Sequence, residues 1–209
     1  MIPKHPFFAH ARRGYHHGRL KDALIEAALS LVAQRGPHGF TLAEAAKLVG
    51  VTAAAPYRHF ADRNELMGEL ARRGFELFGE RLSKAWDEGR PEARAALRRM
   101  GSAYLSFASA EPGLYTAMFQ DAKNICGPRA ELVANQAFEG LIQAASAVLA
   151  TKGVSPHETR RLASELWALA HGTAMLTLAG HLGRNEDPAA ILEHGAEALI
   201  EKALVRRQA

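Results

Sequence analysis

From residue 18 onward, apolar side chains recur every three or four positions, and Gly, Pro and acid-capped starts interrupt them. That period belongs to the α-helix. β-branched residues are too scattered to make alternating strands. Leu20, Leu24, Ala27, Ala28 and Leu31 form one stripe with Ile25 and Val32 beside it, and Gly36-Pro37 ends that run. Thr41-Leu42-Ala43-Glu44 has the residues of a capping box and opens a short helix ending at Val49-Gly50. A third helix is expected from Thr52 as N-cap, with Pro56 as its fourth residue. Asp62-Arg63-Asn64-Glu65 is a second capping box and opens a long helix to about Glu88, with Leu66, Leu70, Leu77, Phe78, Leu82 and Trp86 inward. Further helices are expected from Pro91 to Ala110, over 114–119, over 129–151, from Pro156 to Leu182 after the cap Ser155, and from Pro188 to Arg206. Residues 121–128 read as a loop. The fold class is all-α, with about nine helices and no internal repeat.

Composition sets the remaining bounds. The 209 residues are 48% apolar and 23% charged, an ordinary globular balance. Cys126 is the single cysteine, so no intramolecular disulfide forms, which fits a reducing cytoplasm. Residues 1–13 show no apolar core of a signal peptide. The most apolar stretch, 166–180, is interrupted by His171, Thr173 and Thr177, so no membrane span is expected. Charge is unevenly placed. Residues 1–60 hold eight Lys or Arg against three Asp or Glu, while the rest of the chain is nearly balanced. Such a basic head on a neutral body suits phosphate binding; a merely solvated basic tail is the competing reading.

Segment 41–60 carries the chemistry. Two short helices joined by a turn with Gly50 have the spacing of a helix-turn-helix, whose second helix enters the DNA major groove. Ala43, Ala46, Leu48 and Val51 are expected to form the small core between them. Tyr57, Arg58 and His59 then offer hydroxyl, guanidinium and imidazole donors to phosphates. Tyr57 and His59 as a packing pair is the alternative. No Gly-x-Ser-x-Gly, phosphate-binding Gly-rich loop or His-Glu-x-x-His occurs. A helical-bundle enzyme or a non-DNA interaction module is the rival class.

Thr41-Leu42-Ala43-Glu44-Ala45-Ala46, Val49-Gly50-Val51-Thr52, Tyr57-Arg58-His59-Phe60 and Asp62-Arg63-Asn64-Glu65-Leu66 together resemble the DNA-binding domain of the TetR family of bacterial repressors. The match covers about residues 18–66. Trp167 with His171-Gly172, and Tyr15-His16-His17-Gly18, are similar to two signatures of the subgroup with a WHG-type C-terminal domain. The resemblance implies a homodimeric, ligand-responsive regulator on a pseudo-palindromic double-stranded operator, with a DNA-binding domain at 1–62 and an effector and dimerisation domain at 63–209. It departs at Arg19, where the subgroup commonly has Asp. Ala53, Ala54 and Ala55 are expected nearest the bases and can touch only thymine methyls. The DNA-contact set is therefore Arg19, Thr41, Thr52, Ala53, Ala54, Tyr57, Arg58, His59 and Arg63. Arg12 and Arg13 read either as a free tail or as a minor-groove arm.

The resemblance also implies a pocket among the middle helices. Phe78, Tyr104, Phe107, Tyr115, Met118, Trp167, His171 and Met175 are the aromatic and soft side chains available to line it; simple core packing is the alternative. Such a lining favours a small hydrophobic or aromatic effector, with His171 orienting it. His157, His181 and His194 do not complete a ligand set with His171, so no metal or other cofactor is expected. Residues 155–206 carry apolar surface in excess of one core, including Leu166, Leu169, Met175 and Leu178. They are the expected dimer interface.

Overall fold

The computed structural model describes residues 17–119, 128–150, 154–183 and 185–205. Arg12, Arg13, Tyr15, His16 and Cys126 lie outside the described residues, as does the side chain of Arg19. Eight α-helices and two short 3-10 helices occur, with no strand among the described residues. The chain runs through α1 (His17–Arg35), α2 (Leu42–Val49), a 3-10 turn (Ala55–Arg58) and α3 (Arg63–Trp86). It continues through α4 (Ala93–Ala110), α5 (Pro112–Phe119), α6 (Pro128–Leu149), α7 (Pro156–Leu178) and α8 (Pro188–Val205).

Local chemistry sets most boundaries. The Thr41 hydroxyl accepts from Glu44 N at 3.2 Å, and Glu44 Oε2 accepts from Thr41 N at 2.8 Å, closing the capping box. Gly50 ends α2 in the left-handed region at φ 80°, and Val51 N donates to Ala46 O across it. Asp62 caps α3 by accepting from Glu65 N at 2.9 Å. Ser155 caps α7 by accepting from Glu158 N.

Four boundaries differ from expectation. The third helix does not start at Thr52; only Ala55–Arg58 is helical, as a 3-10 turn. Pro56 has no N–H to donate to Thr52, and its ring disfavours the α conformation at Ala55. Ala55 N instead reaches Thr52 O by an i, i+3 bond. α3 stops at Trp86, because Asp87, Glu88 and Gly89 all have positive φ. α4 starts at Ala93 with Glu92 as its cap, so Pro91 stands outside it. α7 ends at Leu178 instead of Leu182, because Gly180 turns left-handed at φ 70° and His181 N closes back on Leu176 O.

Two apolar cores form. Leu20, Leu24, Ile25, Leu31 and Val32 of α1 pack with Leu42, Ala45, Phe60, Leu66, Met67 and Leu70. The second core gathers Phe75, Phe78 and Leu82 of α3 with residues of α4 to α8. Ala43 is exposed and Leu48 is 60% exposed, so neither joins the head core expected of them. α2 is rotated so that Leu42 and Ala45 face inward instead, beside Ala46, which is buried as expected. In so short and alanine-rich a helix, the apolar pattern fits both phases.

Charged side chains tie α1 to α3. Arg73 bonds Asp22 at 2.7 Å and Glu69 at 3.1 Å, and Arg72 bonds Glu69 at 2.8 Å. Hydrogen bonds from Arg72, then Arg73, hold the Glu69 carboxyl at about 2 against the opposing effect of burial. A lowered carboxyl pKa stabilises the fold in full above the unfolded value of 4.5, and that contribution is lost as pH falls through about 2. Glu69→Gln should therefore lower the melting temperature above pH 5 and approach the wild type near pH 2. Circular-dichroism melts across that range measure it; a constant difference at every pH would exclude this role for Glu69.

Candidate nucleic-acid interface and effector cavity

The reading head is built around a buried proline. Pro56 packs inward, so its neighbours Tyr57 and Arg58 point out, and Tyr57 is 60% exposed. Thr52, Ala53 and Ala54 are exposed on the turn that leads into this segment. His59 is half-buried, and Phe60 is in the head core. Thr41 is exposed, but its hydroxyl is engaged with Glu44, which Arg35 also holds at 2.9 Å. Backbone and side-chain bonds from Thr41, with the Arg35 guanidinium, push the Glu44 carboxyl below its ordinary range. Arg63 is placed differently from the expected phosphate contact. Its guanidinium lies 5.1 Å from the centre of the Phe40 ring, with Nε and Nη2 buried and without hydrogen-bond partners. Stacking on an aromatic face withdraws it from the exposed donors of 57–58.

The residues expected to line an effector pocket mostly fill space. Phe78, Phe107, Tyr115 and Met118 are fully buried. Phe78 meets Tyr104 and Phe107 edge-on at 5.0 and 5.2 Å. Trp167 meets Phe78 at 6.4 Å and Phe138 at 5.4 Å. Met118 is pinned against Gly74, where a Cβ would lie 2.7 Å from its sulfur. Met175 is half-buried and packs on the same core. Aromatic edges of this kind close the volume that the sequence leaves free.

His171 has an interior role. Its Nδ1 is 2.8 Å from the Tyr115 hydroxyl and 3.2 Å from that of Tyr104, and the two hydroxyls are 3.1 Å apart. Burial lowers the imidazole pKa and keeps the ring neutral. Burial pushes Tyr115 up to about 12 and Tyr104 further up. A neutral ring protonated on Nε2 lets Nδ1 accept from Tyr115 while Tyr115 accepts from Tyr104. His171 thus joins α4, α5 and α7, and the bonds orient core side chains.

Open volume lies beside this cluster. A cavity of about 100 Å³ between α4, α7 and α8 is lined by Tyr104 and Trp167, the two expected pocket residues it includes, together with Leu97, Met100 and Leu192. Arg94 and Arg98 stand at its edge, paired with Glu197 at 3.3 and 3.2 Å. A larger cleft of about 440 Å³ runs between α3 and α6. None of the eight expected residues lines it.

The comparisons agree with this architecture. The model described as "Bacterial regulatory proteins, tetR family" matches residues 24–70, and that described as "Tetracyclin repressor-like, C-terminal domain" matches 97–199. The chain belongs to the TetR family. It is 23% identical over 192 residues to an uncharacterised HTH-type transcriptional regulator, YobS, of Bacillus subtilis, covering 91% of this chain and 96% of that protein. A Rhodococcus sp. RHA1 protein of unknown function superposes with a TM-score of 0.79 at 26% identity, covering 92% of this chain and all of the other. A putative transcriptional regulator from Pseudomonas aeruginosa PAO1 gives 0.73 at 19%, covering 92% and 95%.

This TetR-family chain is a transcriptional regulator with a DNA-binding N-terminal domain. No helix among the described residues is long and apolar enough to cross a membrane. The aromatic cluster is legible from residue types, whereas the α3–α6 cleft is not. The signal available in the sequence was a pair of mid-helix glycines, Gly79 and Gly140, which line that cleft.

The hydrogen-bonded group of Tyr104, Tyr115 and His171 gives a direct test. Tyr115→Phe removes one donor and should cost about 1 kcal/mol of stability, measured by chemical denaturation. The His171 ring, followed by NMR, should titrate below 6.5. Because the unfolded chain then binds a proton that the folded chain refuses, stability should fall as pH drops below 6.5. A ring titrating at or above 6.5 would contradict the packed, neutral imidazole.

Proposed function

We propose that this protein is a ligand-responsive repressor that acts as a homodimer on a pseudo-palindromic operator. The observation that carries the reading is the exposed pair Tyr57 and Arg58, set outward by buried Pro56 after the Gly50 turn, on a head with five excess positive charges. Arg58 and Tyr57 contact phosphates, with Thr41, Thr52 and His59 around them. Ala53 and Ala54 give apolar contact to bases. Arg19 adds positive charge at the start of α1. The DNA-reading domain is taken as 1–62 and the effector and dimerisation domain as 63–209, and the protein acts in the cytoplasm without catalysing a reaction.

Residues 155–206 are the proposed pairing surface. Leu176, Leu178 and Ile191 are exposed there, Leu178 by 39%, beside the small residues Ala168 and Ala179. An isologous contact between two such faces removes this apolar area from water. It also fixes the separation of the two heads, which must match half-sites about 34–36 Å apart or a multiple. A small-molecule effector that moves α3 changes that separation and lowers affinity.

Two measurements test the reading. Arg58→Ala should weaken operator binding and reduce the slope of log K against log salt by about one unit. Unchanged affinity and slope would remove Arg58 from the interface. Leu178→Glu should convert the dimer to monomer in sedimentation experiments; a wild-type chain that sediments as a monomer at micromolar concentration would overturn the pairing.

A further inference from the structure

The α3–α6 cleft carries a chemical identity that the aromatic cluster lacks. It is lined by apolar Phe75, Trp86 and Val133, by the uncharged polar side chains of Ser83, Gln136 and Gln143, and by the exposed carboxylates Glu76 and Glu80. No Lys or Arg lines it. Arg72 engages Glu76, whereas Glu80 forms no ion pair among the described residues. Aromatic side chains beside carboxylates attract a cation that also has apolar surface to bury. An anion would meet two carboxylates, and the one cation beside them, Arg72, is already held by Glu76 and Glu69.

Two glycines keep the cleft open. Glycine within a helix is less favourable than alanine, so a mid-helix glycine needs a reason. Gly74, Gly101 and Gly195 have one, since a Cβ at each would lie within 3.2 Å of Met118, Leu192 or Leu169. At Gly79 in α3 and Gly140 in α6, a Cβ would meet nothing within 4 Å beyond the adjoining residues and backbone of its own helix. Both line the cleft. No protein packing requires them, and a side chain at either would occupy its space. Gly172 is also without such a neighbour, but it lies on α7 within the proposed pairing surface. Leu82 and Met100 line both this cleft and the 100 Å³ cavity, so they alone are shared between the two volumes. Met is the more deformable of the pair and gives an apolar tail room to extend inward.

We infer that the cleft between α3 and α6 binds a lipophilic monocation, its charge at Glu80 and its apolar part over Phe75, Trp86 and Met100. This rests on the ligand-responsive reading above and gives that effector a site and a charge. α3 forms one wall of the cleft, so occupancy acts on the helix that joins the two cores.

The test uses the full chain and calorimetry with benzyltrimethylammonium, its neutral carbon isostere neopentylbenzene, and phenylacetate. The cation should bind, the neutral isostere more weakly, and the carboxylate not at all. Glu80→Gln should weaken the cation roughly fivefold and leave the neutral isostere unchanged. Gly140→Leu fills the cleft and should abolish binding, while the melting temperature of the free protein rises because a helical glycine is replaced. Binding that survives Gly140→Leu would put the site elsewhere. Equal binding of cation and neutral isostere, or indifference to Glu80→Gln, would overturn the charge assignment; no heat from the cation up to millimolar concentration would overturn the proposal. Operator release is read separately: cation binding that leaves DNA affinity unchanged upholds the cleft and defeats the ligand-responsive reading.

Discussion

One continuous helix supplies residues to both cores. α3 gives Leu66, Met67 and Leu70 to the head and, one turn on, Phe75, Phe78 and Leu82 to the body. A helix cannot bend sharply without a proline, a bulge or an inserted group, so the two halves of α3 move together. Glu69 sits at the end of the head set, and Arg72 and Arg73 lie between the two sets. The ion pairs from Arg72 and Arg73, with Asp22 on α1, fasten the helix at the junction. The head is therefore held both by apolar packing and by charges of defined geometry.

α5 is the second element with a foot on each side. Tyr115 and Met118 belong to the body core, and Ala117 belongs to the head core. Gly113 lies so close to α1 that a Cβ there would be 2.7 Å from the Leu29 carbonyl oxygen. Only glycine permits that approach of backbone to backbone. Tyr115 also bonds His171 on α7. A buried polar network is stable only when its members are satisfied, and here three groups from α4, α5 and α7 satisfy one another. α5 is thus held on one side by the close approach of Gly113 to α1 and on the other by the Tyr115 hydrogen bond in the body core.

What the sequence revealed was the chemistry confined to a few neighbouring residues. The Thr41–Glu44 box, the Gly50 turn and the Ser155 cap are each complete within four or five residues, and each forms where the spacing puts it. Pro56 is equally local, yet it does more than its place in a first turn implies: the missing N–H and the ring reduce the third helix to a 3-10 turn. The phase of α2 was ambiguous because alanine on either side gives nearly the same pattern. Burial of Leu42 and Ala45 decides the rotation and leaves Leu48 exposed.

The aromatic residues illustrate a different limit. Residue type says that Phe78, Tyr104, Phe107 and Trp167 are apolar and large; it does not say whether they surround a space or occupy it. That depends on helix separation, which is set by the smallest residues at each crossing. Gly74 admits Met118 and Gly195 admits Leu169, drawing helices together and closing the interior. Gly79 and Gly140 admit nothing, and the volume stays open beside them. The same residue type closes one part of the body and leaves another accessible, so the position of the cavity follows from what faces each glycine across the helix contact, a long-range fact that no local pattern encodes.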